Sequence, residues 1–326
     1  MFGALVALKY VEQMRIHRDM SVGQLVAEMN KCGVLGAGRL ARATDIMREM
    51  FRDKDYTIFL ALAGPMIPGG LRSVIGTLID EGYVHAIVTS GANIVHDVIE
   101  GLGFKGVKGS FLVDDANLRK EGIGRVGDIF LEQDGFMALE KKMYQVFNSL
   151  IQERREKVSI RELVFELGKA LDDEDSLLKK ASEHNIPVFS PGLLDSMIGL
   201  HLWTFNQLKK LQLDSLSDLT ELSDIVFEAK KVGAIILGGG LPKHHVLGAN
   251  ILREGVDAAV QVTLDRPEGG SLSGAYLEEG ISWKKVKTEK KLETVIGDAT
   301  IVFPIMVAAA LEKLDSSAQV KKRRIH

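Results

Sequence analysis

One cysteine in 326 residues, Cys32, is too few for an internal disulfide and has no second thiol beside it to share a metal. That usage fits a reducing compartment and predicts a cytoplasmic protein. No apolar stretch reaches the length of a bilayer span. The apolar opening MFGALVALKYVEQ is broken by Lys9 and Glu12 and has no basic segment before it, so it reads as neither anchor nor secretion signal. Neither sign of charge dominates: 41 Lys and Arg against 44 Asp and Glu leave a formal net charge of −3. This argues against the broad positive field of a nucleic-acid binder, and the basic KKRRIH at the C-terminus reads as a frayed, solvated end. Among the eight histidines there is no H-x-x-x-H spacing, and no cysteine cluster accompanies His244 and His245. No catalytic metal is expected.

The chain has 46% apolar and 26% charged residues, the profile of a globular protein with ample core material. Two helices are predicted near 21–31 and 38–52. Beyond them, short apolar runs alternate with longer helical patterns: YTIFLAL, VHAIVT, IPVFS, GAIILGG, AAVQVTL and ETVIG. Most are continuously apolar, as strands buried on both faces of a parallel sheet are. The order predicts an α/β, Rossmann-like doubly wound fold with a mainly parallel sheet and helices on both faces. No internal repeat or composition break divides the chain. We expect a single domain over 1–326, with an N-terminal helical segment over about 1–55, an irregular insertion over 104–133 and a helical, charged stretch over 134–184.

Five of the six runs end in small or turn-forming residues: AGPMIPGG, TSGAN, SPGLLD, GGGLPKHH and GDAT. Ligands of open α/β sheets collect beyond the carboxyl ends of the strands. Small residues there let backbone N–H groups and helix N-termini approach a phosphate, so a nucleotide or dinucleotide is the expected guest. One formal dinucleotide fingerprint, GAGRLA with Gly36, Gly38 and Ala41, follows a helix tail rather than a strand and is read as a decoy.

Two segments carry candidate chemistry. GAIILGGGLPKHHVLGANILREG passes from a buried strand through three glycines into a helix expected to start near Pro242. His244 and His245 then fall in its first turn, where the helix dipole favours a neutral imidazole that can accept a proton. ISWKKVK follows the glycine- and serine-rich PEGGSLSGAYLEEG. If residues 282–287 run extended, Trp283, Lys285 and Lys287 share one side, and Lys285 lies beside the indole. An ammonium desolvated against an aromatic wall and near other cations loses its proton more easily, as an amine nucleophile requires. Glu279 is placed to hold a cationic substrate. The competing reading of the three lysines is a solvated edge strand.

Taken together, ILGGGLPKHH, GGSLSGAYLEEGISWKKV, GDATIVFP, VTSGAN and SPGLLD resemble the deoxyhypusine synthase family, in order, from about residue 56 to 312. AGPMIPGG and IGLHLW look more like its archaeal branch than its animal members. The resemblance implies NAD-dependent transfer of the aminobutyl group of spermidine to a lysine of the hypusine-bearing translation initiation factor, by way of an imine on an enzyme lysine. It implies Lys285 and His244 as catalytic residues, with Glu279, Trp283 and His244 contacting the amine. It places NAD contacts on Ser90, Gly91, Asp195, Gly238, Gly240, Gly270, Ser271, Asp298 and Ala299. It further implies a cytoplasmic homotetramer with sites at subunit interfaces and no nucleic-acid or membrane partner. The sequence departs from animal members at Leu200, Leu272 and Gly269, where they carry aspartates, at His96, where they carry a glutamate, and at Gly64-Pro65, where they carry serine-asparagine. Losing carboxylates from a polyamine pocket weakens its hold on a tri-cation. The departures therefore admit two further readings: a homospermidine-synthase-like transferase acting on another amine or acceptor, and a non-catalytic NAD-binding relative.

Overall fold

The computed structural model describes residues 9–153, 157–312 and 314, with the backbone alone at 289 and 290; KKRRIH lies outside the described residues. All six apolar runs lie in one sheet: β1 (Tyr56–Leu62), β2 (Ala86–Thr89), β3 (Val188–Phe189), β4 (Lys231–Leu237), β5 (Val256–Thr263) and β6 (Val286–Ile296). The spatial order is β6-β5-β4-β1-β2-β3, and each neighbouring pair is parallel. Read from the other edge this is 3-2-1-4-5-6, the dinucleotide-binding order, whose direction of winding reverses between β1 and β4.

The period of two along each strand divides the core into two layers. Ile58, Leu60 and Leu62 of β1, with Ile235 and Leu237 of β4, pack into one cluster with the helix Leu35–Arg52 and the helix Ala299–Glu312. Phe59 and Ala61, with Ala234 and Ile236, pack on the opposite face against Val246 and Leu247 of the helix Gly240–Ala249. Phe59, Leu60 and Leu62 are fully buried, worth about 1.5–3 kcal/mol apiece in area removed from water. Helices therefore cover both faces, as a doubly wound sheet requires.

Two expectations are corrected. The 104–133 segment is not irregular: it forms a three-stranded antiparallel sheet from Val107–Lys108, Ile123–Val126 and Ile129–Glu132, with a short helix Asp115–Lys120. The second helix starts at Leu35 rather than 38, so Gly36, Gly38 and Ala41 lie inside it. A Cβ on Gly38 would sit 2.4 Å from the Gly33 carbonyl oxygen. That glycine exists to let the first two helices turn tightly on one another, and no strand leads into it.

Candidate active site

A cleft of about 700 Å³ opens over the carboxyl ends of β1, β4, β5 and β6, at the point where the winding reverses. Its floor is built by Ala63–Met66, Gly238, Gly239, Thr263, Asp298 and Ala299, and the antiparallel flap closes one side with Phe111 and residues 126–129. Gly238 has φ +76°, and a Cβ there would lie 2.8 Å from the carbonyl oxygen of Ala63; one on Gly239 would lie 2.5 Å from Cα of Ser273. The three-glycine turn is thus glycine because backbone packs on backbone. Behind the wall, buried Arg72 pairs with Asp97 at 2.6 Å and Asp173 at 2.6 Å. Asp97 also accepts from Ser176 Oγ and from the amides of Leu177 and Leu178. This network anchors the turn Ile67–Leu71 that leads from the cleft.

Asp298 Oδ1 accepts hydrogen bonds from the Thr300 amide and hydroxyl, both at 2.8 Å, and so caps the helix Ala299–Glu312 at the cleft. Ser90 and Gly91 open the helix Gly91–Gly101. A Cβ on Gly91 would meet Ser196 at 2.6 Å, which brings Ser90 and Gly91 against the turn that carries Asp195. Leu241 reaches the same turn at Gly192, linking it to the start of the helix Gly240–Ala249. Gly270 and Ser271 lie exposed at the outer end of the loop after β5. They stand apart from the residues that line the cleft, although Ser273 of the same loop is among these.

Residues 282–285 are not extended as expected. A 3-10 turn over Leu277–Ile281 leads into a second turn, Lys284 adopts the left-handed conformation with φ +54°, and the strand begins only at Val286. The turn separates the three lysines. Lys284 lies 3.7 Å from Glu254 and Lys287 lies 2.6 Å from Asp257. Lys285 instead points its Nζ to Nδ1 of His244 at 3.4 Å, with the Trp283 ring centroid 5.7 Å away. Glu279 is exposed in the 3-10 turn on the same loop.

The helix bearing His244 starts at Gly240, not Pro242, which puts His244 and His245 in its second turn. Burial, with the neighbouring charge of His244, pushes His245 below the ordinary imidazole range. Its neutrality therefore rests on desolvation rather than on a place in the first turn.

Sequence reasoning missed Lys243, which is 2% exposed. Its Nζ donates to Gln261 Oε1 at 2.9 Å, to the Leu272 carbonyl at 2.9 Å and to the Ala275 carbonyl at 2.6 Å. Gln261 in turn donates to the carbonyls of Gly238 and Ser273. Burial pushes the Lys243 pKa down to about 8; the charge of Glu279 opposes the shift and that of Lys285 adds to it. The overlooked signal is its spacing from Val246 and Leu247, three and four residues on, which sets all of them on the inner face.

Among the departures, Leu200 is half exposed on the helix Met197–Phe205, and Leu272 contributes its carbonyl to Lys243. His96 sits against Phe136 with Nδ1 buried and without a hydrogen-bond partner among the described residues, and burial lowers its pKa. Among the described residues no group of three His, Cys, Asp or Glu could hold a metal, and no helix is long and apolar enough to cross a membrane.

The family model for deoxyhypusine synthase matches residues 24–310. A Methanothermobacter thermautotrophicus protein named "Probable deoxyhypusine synthase" is 46% identical over 304 residues, 93% of this chain and 98% of that protein. Proteins of the same name from Methanopyrus kandleri and, as "Probable deoxyhypusine synthase 1", from Methanosarcina acetivorans are each 44% identical over 93% of this chain and 98% and 95% of their own lengths. The crystal structure of a deoxyhypusine synthase candidate from Entamoeba histolytica shares the fold, with a TM-score of 0.67 and 19% identity over 94% of this chain and 98% of that one. With the family model spanning 24–310 and relatives 44–46% identical over 93% of its length, the chain belongs to the deoxyhypusine synthase family.

Proposed function

We propose that the protein is a deoxyhypusine synthase, which transfers the aminobutyl group of spermidine to a lysine of the hypusine-bearing translation initiation factor and uses NAD. The observation that carries this reading is the approach of Lys285 Nζ to His244 Nδ1 at 3.4 Å, while the two neighbouring lysines each face a carboxylate. An unprotonated Nδ1 accepts a proton from the Lys285 ammonium and frees an amine for attack. Once the imidazole has released that proton to solvent, it takes one from the substrate amine as the amine is oxidised. Lys285 attacks the resulting imine carbon, diaminopropane departs, and the aminobutyl group is carried as an imine until the acceptor lysine displaces it. Trp283 provides the wall and Glu279 the carboxylate for the distal ammonium.

The cleft fits NAD. Its size is in the range of small-molecule sites, and helix N-termini at Gly240 and Ala299 offer N–H groups and positive dipole ends to a diphosphate. Gly238, Gly240, Asp298 and Ala299 would hold it from the β4 and β6 side, Ser90, Gly91 and Asp195 from the β2 and β3 side, and Gly270 with Ser271 from the loop after β5. When bound, NAD supplies the hydride acceptor for the amine and the hydride that reduces the final imine.

The whole chain acts as one domain and works in the cytoplasm as a homotetramer. Supporting an interface at the site, Trp283 is 69% exposed, Trp203 62%, Leu200 49% and Leu241 48%, an apolar display that a second subunit would cover. Leu200 and Leu272, where animal members carry aspartates, favour a second reading in which a different amine or a free amine acceptor is used. Incubating the purified protein with NAD, butyl-labelled spermidine and either the translation factor or free putrescine separates the two. Label on the factor is the expected result; label on putrescine alone would replace the first reading by the second.

A further inference from the structure

An ammonium group has three N–H donors, and Lys243 places all three on acceptors within 2.9 Å while 2% exposed. No carboxylate is among them. Two acceptors, the carbonyls of Leu272 and Ala275, belong to the loop that leads into the Glu279 turn and on to Lys285; the third belongs to Gln261 of β5. Lys243 itself precedes His244 in the helix. One side chain thus ties the helix that presents His244 to the loop that presents Glu279 and Lys285. Gln261 extends the tie to the cleft by donating to Gly238 and Ser273.

We propose that Lys243 is a positioning residue, which clamps the 272–279 loop onto the helix Gly240–Ala249 so that Lys285 and His244 meet. The proposal rests on the reading of Lys285 and His244 given above. A buried cation hydrogen-bonded only to neutral acceptors is an expensive way to join two segments, and a site that needs its reacting atoms aligned gives a reason for it. The clamp also has a built-in pH limit. The neutral amine has two N–H groups and cannot serve three acceptors. The charged groups that face Lys243 are Glu279, which favours the ammonium, and Lys285, which disfavours it; His244 and His245 follow it on its own helix.

The test compares the full-length protein with Lys243→Met and Lys243→Arg. The measurements are NAD binding by calorimetry, hydrogen exchange at residues 272–279, and the pH dependence of kcat with spermidine. Lys243→Met is expected to keep NAD affinity, to exchange faster over 272–279, and to lose about 100-fold in kcat, the effect of misplacing reacting groups by an ångström. Wild-type kcat is expected to fall as pH rises through about 8, and Lys243→Arg, charged throughout, to recover part of the rate without that fall. If Lys243→Arg does not fold, Lys243→Met decides alone. Unchanged kcat in Lys243→Met, or unchanged exchange over 272–279, would overturn the proposal. So would loss of NAD binding and of kcat in equal proportion, which marks a general collapse. A wild type that shows no turnover, beside faster exchange in Lys243→Met, would instead remove the functional reading and leave the clamp standing.

Discussion

Lys285 Nζ lies 3.4 Å from His244 Nδ1, and this contact sets one lysine apart from its neighbours. Lys284 and Lys287 are close to it in sequence, yet each is drawn to an acid, Glu254 or Asp257. The left-handed Lys284 is the reason: it turns the chain between the indole and the nucleophile candidate, so that the lysine after it reaches His244 and the strand starts one residue later.

The cofactor assignment predicts a ranking between two residues. Asp298→Ala removes a carboxylate that lines the cleft and caps a helix. It should weaken NAD binding in calorimetry and lower stability by about 0.5–2 kcal/mol. Gly38→Ala forces a Cβ onto the Gly33 carbonyl and should destabilise by about 1–3 kcal/mol, with the NAD affinity of the folded protein unchanged. The reverse ranking of affinities would restore GAGRLA as the nucleotide motif.

The Arg72–Asp97 pair predicts a stability effect without a chemical role. Arg72→Met strands Asp97, which is fully buried, without its cation. A loss of about 3–5 kcal/mol is expected in denaturant melts. A loss below 1 kcal/mol on the same scale of buried pairs would show that the amides of Leu177 and Leu178 suffice.

Acid should reveal the pairing of Lys287. Burial acts to raise the pKa of Asp257, but the hydrogen bonds from Lys287 and the Val232 amide, with the charges of Lys287 and Arg253, outweigh it and hold the carboxyl below its ordinary value. A depressed folded pKa gives stability that is complete above the unfolded value of about 3.9 and is lost as pH falls through the folded value. Melting temperature should therefore drop below about pH 4, and less steeply in Lys287→Met. Equal slopes would mean that Lys287 contributes nothing to Asp257.

Glu279 and Leu272 predict opposite effects on the amine. Glu279→Gln should lower kcat/KM for spermidine about ten- to a hundred-fold, the worth of one charge-assisted hydrogen bond. Leu272→Asp should raise it by a similar factor. Tight use of spermidine by the wild type, unimproved by the added aspartate, would show that the pocket takes its charge from elsewhere.

The sheet was legible because continuous apolar runs such as YTIFLAL are buried on both faces; β1 spans the run from end to end. The site was legible only in part. Trp283 and Lys285 were paired by assuming a strand, whereas the structure pairs them through a turn whose positive φ falls on a lysine, a residue that gives no such signal. The flap was missed because its strands are two to four residues long and its middle strand alternates little. Lys243 was missed because a lysine at a helix start reads as solvated, and its three acceptors come from residues 18 to 32 positions away.

The central claim is that Lys285 carries the aminobutyl group. Borohydride trapping with NAD and butyl-labelled spermidine, followed by peptide mass mapping, addresses it directly. Label on Lys285 in wild type, Lys284→Ala and Lys287→Ala, and none in Lys285→Arg, whose guanidinium cannot form the imine, is the result the account predicts. Label retained in Lys285→Arg, or mapped to Lys243, would contradict it.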